Sequence, residues 1–97
     1  MRLIVSRAAE ADLVDIQLYG ILTFGRKAAE DYADGLKVAT SRLLEFPRLA
    51  PERQGLNQPL RILIHRSHII VYAIDDDVIR ILRFRHCSED WHDNPEG

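Results

Sequence analysis

The stretch Leu60 to His86, LRILIHRSHIIVYAIDDDVIRILRFRH, constrains the fold more than any other part of the chain. Leu60–His65, His68–Ile74 and Val78–Arg85 are short runs rich in β-branched and aromatic residues, the composition of strands. Arg66-Ser67 separates the first two, and Asp75-Asp76-Asp77 precedes the third. A two-residue loop at Arg66-Ser67 sets His65 opposite His68, Leu63 opposite Ile70 and Arg61 opposite Tyr72. Leu60, Ile62, Ile64, Ile69, Val71 and Ala73 then share the other face, which is wholly apolar and is expected to pack against the rest of the chain. A two-residue turn in the Asp run adds Ile79, Ile81, Arg83 and Arg85 to the mixed face and Leu82 and Phe84 to the apolar one. A three-residue turn would instead drive two guanidinium groups into the core, at a cost of roughly several kcal/mol. The expected sheet therefore has a dry face under the helices and an outer face carrying Arg61, Tyr72, Arg83 and Arg85.

Upstream, Arg2–Ser6 reads as a short apolar strand, with Ser6 as N-cap of the next helix and Glu10 in its first turn. Ala9, Leu13, Ile16 and Gly20 recur at helical spacing, and Phe24-Gly25 ends the segment, the glycine taking positive φ. Ala29, Tyr32, Leu36, Ala39, Leu43 and Phe46 define a second amphipathic helix, which Pro47 stops. Two helices joined so tightly form an antiparallel hairpin. Residues 48–59, with Pro51 and Pro59, read as a surface loop, and 86–97 as a polar tail anchored by Trp91. The expected architecture is α+β, a helical hairpin packed on one face of a small, mainly antiparallel sheet in the order β-α-α-β-β-β. Residues 1–97 are expected to form one domain.

Composition narrows the chemistry. The chain has 46% hydrophobic and 29% charged residues, an ordinary globular balance that argues against disorder. Its formal charge of −2 gives no global attraction to nucleic acid. Of its 13 basic residues only Lys27 and Lys37 are lysine, and arginine suits bidentate contact with carboxylate or phosphate. One cysteine, Cys87, excludes an internal disulfide. No apolar run approaches the ~20 residues of a membrane span. No signal peptide is apparent, so a cytoplasmic location is expected.

Among candidate sites, His65, His68, His86, Cys87 and His92 match no zinc-ligand spacing, so no metal is expected. Cys87 and His86, adjacent in a strand, point to opposite faces and make a poor nucleophile–base pair. The Asp run lacks the alternation and distal Glu of a calcium loop. There is no phosphate-binding glycine loop or serine elbow, and no cofactor is expected. What remains is Arg61, Tyr72, Arg83 and Arg85, with His86 at the strand end. Such a set suits phosphate in a phosphoryl-transfer state. It suits equally an acidic docking partner, or simply arginine stems lying over a solvated face.

The order and spacing of these pieces resemble the ParE-type toxins of bacterial type II toxin–antitoxin modules, within the wider RelE/ParE superfamily. The matching residues are the opening strand with Ser6, Ala9, Asp12, Leu13 and Ile16, then Tyr19 and the Phe24-Gly25 junction. Ala29, Tyr32, Leu36, Leu43 and the Phe46-Pro47 stop come next. The Leu60-Arg61 strand entry, HIIVYAI, and IRILRFRH with Asp90 beyond it complete the pattern. The resemblance implies the same β-α-α-β-β-β fold. It also implies neutralisation by a ParD-like ribbon-helix-helix antitoxin, operator DNA contacted only through that antitoxin, and DNA gyrase as the target. RelE-type relatives instead cleave mRNA on the ribosome with basic sheet residues and a C-terminal Tyr or His. Here Arg61, Arg83 and His86 would be that set, but the loop before Leu60 supplies no lysine and only Glu52 as an acid. The expectation is a gyrase-directed toxin without a catalytic site, binding partners through Arg61, Tyr72, Arg83, Arg85, His86 and Trp91. A ribosome-dependent ribonuclease and a non-toxic antitoxin-binding regulator are the alternatives.

Overall fold

A computed structural model describes residues 1–55, 58–89, 91 and 95. Asp90 and His92, which entered the sequence reading, lie outside the described residues. β1 (Arg2–Val5) leads into α1 (Arg7–Phe24) and α2 (Arg26–Ser41), which a short 3-10 turn (Arg42–Leu44) extends. Then come β2 (Glu52–Arg53), β3 (Leu60–His65), β4 (His68–Asp75) and β5 (Val78–His86). The expected β-α-α-β-β-β order is present, with the two-residue β2 added ahead of β3. The five strands lie in the order β1-β5-β4-β3-β2, β1 running parallel to β5 and every other pair antiparallel. Among the described residues no helix is long and apolar enough to cross a membrane.

Local chemistry explains the element boundaries. The Ser6 side chain accepts the Ala9 N–H at 3.0 Å, satisfying one of the donors that a helix start leaves open. Its hydroxyl donates to the Leu82 carbonyl at 2.9 Å, tying α1 to β5. Gly25 has φ 93°, and its N–H closes on the Ile21 carbonyl at 3.1 Å. A side chain there would be strained, so glycine marks the reversal between the helices. At Gly20 the helices approach so closely that an added Cβ would sit 3.0 Å from the Ala29 Cβ. Both tight turns have the expected two residues, with His65 paired to His68 and Asp75 to Val78. Arg66 and Asp76 take left-handed φ of 54° and 53°.

The expected sidedness is inverted. The helices cover the mixed face: Ala9, Leu36 and Leu43 are buried together with Ile70, Tyr72, Ile79, Ile81 and Phe84, and Leu63 packs against this cluster. The wholly apolar face is turned away from the helices, where Leu60, Ile69, Val71 and Ala73 form a second cluster under Trp91. Two causes operate. β1 and β3 run in the same direction, and a crossover between parallel strands has a strongly preferred hand, so chain direction selects the helix-bearing face. The arginines are then displaced by a bulge. Val71 pairs with Arg83 but Tyr72 pairs with Ile81, leaving Leu82 as an extra residue. Beyond it, Phe84 falls opposite Ile70, and Arg85 opposite Ile69. Thus Phe84 joins the helix-side core, and Arg83 and Arg85 are shifted out of it by a bulge that turn length alone does not reveal. Phe46, placed on the α2 stripe by spacing, is instead 58% exposed because the helix has already ended.

Candidate functional site

Arg61, Tyr72, Arg83 and Arg85 do not form one outward-facing cluster. Tyr72 is fully buried in the helix-side core. Its hydroxyl donates to the Pro47 carbonyl at 2.9 Å and accepts the Ala50 N–H at 3.3 Å. Burial raises its pKa against the smaller opposing effects of the Ala50 hydrogen bond and the nearby Arg61. Arg61, opposite Tyr72 in the ladder as expected, donates to the Ala50 carbonyl at 2.7 Å and lies 3.9 Å from Glu52. Together they fasten the 47–52 loop to the sheet.

Arg83 turns to α1. Its Nε and Nη2 reach the two carboxylate oxygens of Asp12 at 2.7 and 2.9 Å, and the Phe84 N–H donates to the same carboxylate at 3.0 Å. The Asp12 hydrogen bond raises the pKa of the already strongly basic guanidinium. Arg85 turns to the tail, 3.0 Å from Glu89, which also accepts the His86 N–H at 3.1 Å. Partial burial opposes the charge on Glu89, but the His86 N–H and Arg85 outweigh it and its pKa is lowered. Trp91 is 8% exposed, donates its indole N–H to the Cys87 carbonyl at 3.3 Å, and lies beneath the Arg53 guanidinium.

The three residues of the ribonuclease reading are likewise dispersed. Arg61 and His65 are four residues apart on β3, and His65 shares its ladder row with His68 and His86. At the strand rise, Arg61 and His86 are therefore offset by roughly 13 Å along the sheet, with Arg83 drawn aside to Asp12. They do not converge on one reacting atom.

The surface that sequence reasoning missed is on α1. Val14, Leu18 and Leu22 succeed one another at helical i, i+4 spacing and are 53%, 55% and 86% exposed. Tyr19 and Phe24 flank them, exposed and in edge-to-face contact with centroids 6.4 Å apart. The interior stripe Ala9, Leu13 and Ile16 packs on the sheet as expected, so α1 is apolar on both its inner and outer sides. An unburied apolar stripe of this kind is a candidate protein-docking surface. Its signal was legible: the helix has more apolar residues than one buried stripe needs.

Comparison with known proteins converges on one family. The family model described as the ParE toxin of the type II toxin–antitoxin system, parDE, matches residues 3–91. The Toxin ParE1 of Caulobacter vibrioides is 32% identical over 84 residues, covering 87% of this chain and 86% of that protein. A solved structure of the chromosomal ParDE system from P. aeruginosa superposes with a TM-score of 0.78 at 22% identity, covering 89% of this chain and 95% of that one.

Proposed function

The chain belongs to the ParE toxin family of type II toxin–antitoxin systems, and from that premise we propose that it is a cytoplasmic, gyrase-directed toxin held inactive by a ParD-like antitoxin docked on α1. The observation that carries the docking site is the exposed Val14–Leu18–Leu22 stripe with Tyr19 and Phe24. An amphipathic antitoxin segment laid along it would bury apolar side chains that the fold leaves in water, the helix-in-groove mode of recognition. Arg83 and Arg85 of β5 have intrachain carboxylate partners in Asp12 and Glu89, which favours a structural role for them over a docking role. Operator DNA enters only through the ribbon-helix-helix part of the antitoxin. The dispersal of Arg61, Arg83 and His86 supports a poison that acts by binding over a ribonuclease.

The test is direct. Purified toxin at micromolar concentration is expected to inhibit gyrase supercoiling of plasmid DNA, and an equimolar ParD-like antitoxin is expected to restore it. Undiminished supercoiling, with transcripts cleaved on ribosomes instead, would overturn the reading.

A further inference from the structure

Three histidines that the proposed function does not use are aligned across the end of the sheet. The ladder pairs His65 with His68 and His68 with His86, so one imidazole from each of β3, β4 and β5 shares a single row. Directly paired residues point to the same side of a sheet, and here that side is the one under α2. The Tyr32 hydroxyl lies 2.6 Å from His68 Nδ1, and the Tyr32 ring makes edge contacts with His65 and His68, with centroids 6.3 and 5.4 Å apart. His65 also abuts Gly35 of α2, where a Cβ would lie 3.4 Å from its Nε2. The His68 and His86 rings meet edge to face at 5.1 Å.

We propose that this row is an acid-sensitive clasp, which holds the Tyr32–Gly35 segment of α2 to the open end of the sheet when neutral and releases it on taking up protons. The geometry defines which form is held. His86 Nδ1 receives the Ser88 backbone N–H at 3.0 Å and lies 2.6 Å from the Ser88 hydroxyl. A backbone N–H only donates, so this nitrogen is an acceptor and the neutral ring carries its proton on Nε2. Protonating Nδ1 removes that acceptor. It also sets a cation one ring away from His68, which is half-buried and already resists charge.

Among the described residues, few compensating groups face the row. From α2 come Tyr32 and, beside His65, Asp31 at the rim of a shallow depression shared with Arg66. The β3–β4 turn contributes the cationic Arg66. The end of β5 contributes Cys87. From the tail comes Glu89, which favours a charged His68 but is already bonded to Arg85 and the His86 N–H. Burial, and after it the neighbouring His86, lowers the His68 pKa below its ordinary 6.5. The unfolded chain therefore binds protons more readily than the folded one. The clasp's contribution is complete above about pH 6.5 and is lost as pH falls below it.

The experiment is hydrogen exchange of backbone amides in the full chain at pH 7.5 and 5.5, corrected for intrinsic rates, with imidazole resonances tracked in parallel. Protection across residues 28–35 is expected to fall at least ten-fold at pH 5.5 while the Leu13–Ile16 part of α1 keeps its protection. His68→Gln is expected to flatten that pH response. Unchanged protection, a uniform loss in both helices, or an undiminished response in His68→Gln would overturn the proposal. Should the variant not fold, the wild-type measurements decide: loss of protection across 28–35 that tracks a His68 titration below 6.5 supports the clasp, and a His68 titration at or above 6.5 refutes it.

Discussion

Asp12 joins α1 to β5 through both the Arg83 guanidinium and the Phe84 N–H. Past Val5, β1 no longer flanks β5, and the open edge is served by side chains: Ser6 Oγ on the Leu82 carbonyl and Asp12 on the Phe84 N–H. Asp12 also takes the Arg83 guanidinium in a fork, its side chain only 13% exposed and that of Arg83 26%. Asp12→Ala removes the carboxylate that holds both the Arg83 guanidinium and the Phe84 N–H. Buried pairs broken this way cost ~3–5 kcal/mol, and solvent access here reduces the expectation to about 2 kcal/mol, read from urea unfolding. Asp12→Asn retains one acceptor and is expected to cost less. Tyr72→Phe tests the other internal anchor. Losing the hydroxyl that spans Pro47 and Ala50 is expected to cost about 1–2 kcal/mol, leaving the Ala50 N–H without its partner.

At the scale of elements, the helix boundaries were readable because they rest on contacts within a few residues. Ser6 caps its own helix, Gly25 supplies a conformation other residues resist, and Pro47 bars any helical continuation past the 3-10 turn. The tight turns were readable for the same reason. The β5 bulge was not. Leu82 carries no glycine or proline signal, and its insertion serves distant partners: it sets Phe84 opposite Ile70 in the core and accompanies the reach of Arg83 to Asp12, 71 positions away. The α1 stripe lies between these cases, since its surplus of apolar residues is visible in sequence but its exposure is not. Leu18→Glu and Leu22→Glu place charge on side chains already largely in water. Their stability is expected to stay within about 0.5 kcal/mol of wild type. Antitoxin affinity, measured by calorimetry, is expected to fall at least ten-fold if α1 is the docking element, and unchanged affinity would remove it from the interface.

For the molecule as a whole, the decisive fact is a sheet with a buried cluster on each face. The helical hairpin protects Ile70, Tyr72, Ile79 and Ile81, and Trp91 shields Leu60, Ile69, Val71 and Ala73 on the far side. Trp91 is therefore part of the core. Trp91→Ala is expected to destabilise the fold by about 2–3 kcal/mol, at or below the low end of the usual range for deleting a large aromatic because the residue packs on the smaller of the two clusters. Circular dichroism melts of the variant measure this.

The chain's own order of residues determined everything settled by near neighbours: strand composition, two-residue turns, helix caps, and the register of β3 on β4. These arise from steric and hydrogen-bonding preferences that act over a few bonds, and the partition of β3 and β4 into two faces came with them. Tertiary structure alone decided which face the helices cover, because that depends on the hand of a crossover spanning β1 to β3. It alone decided the fate of the arginines, which a bulge and a distant carboxylate turned from an outward cluster into internal ties. The face with fewer charges looked like the natural core, yet chain connectivity outweighed composition, and Trp91 packs on part of what the helices left open.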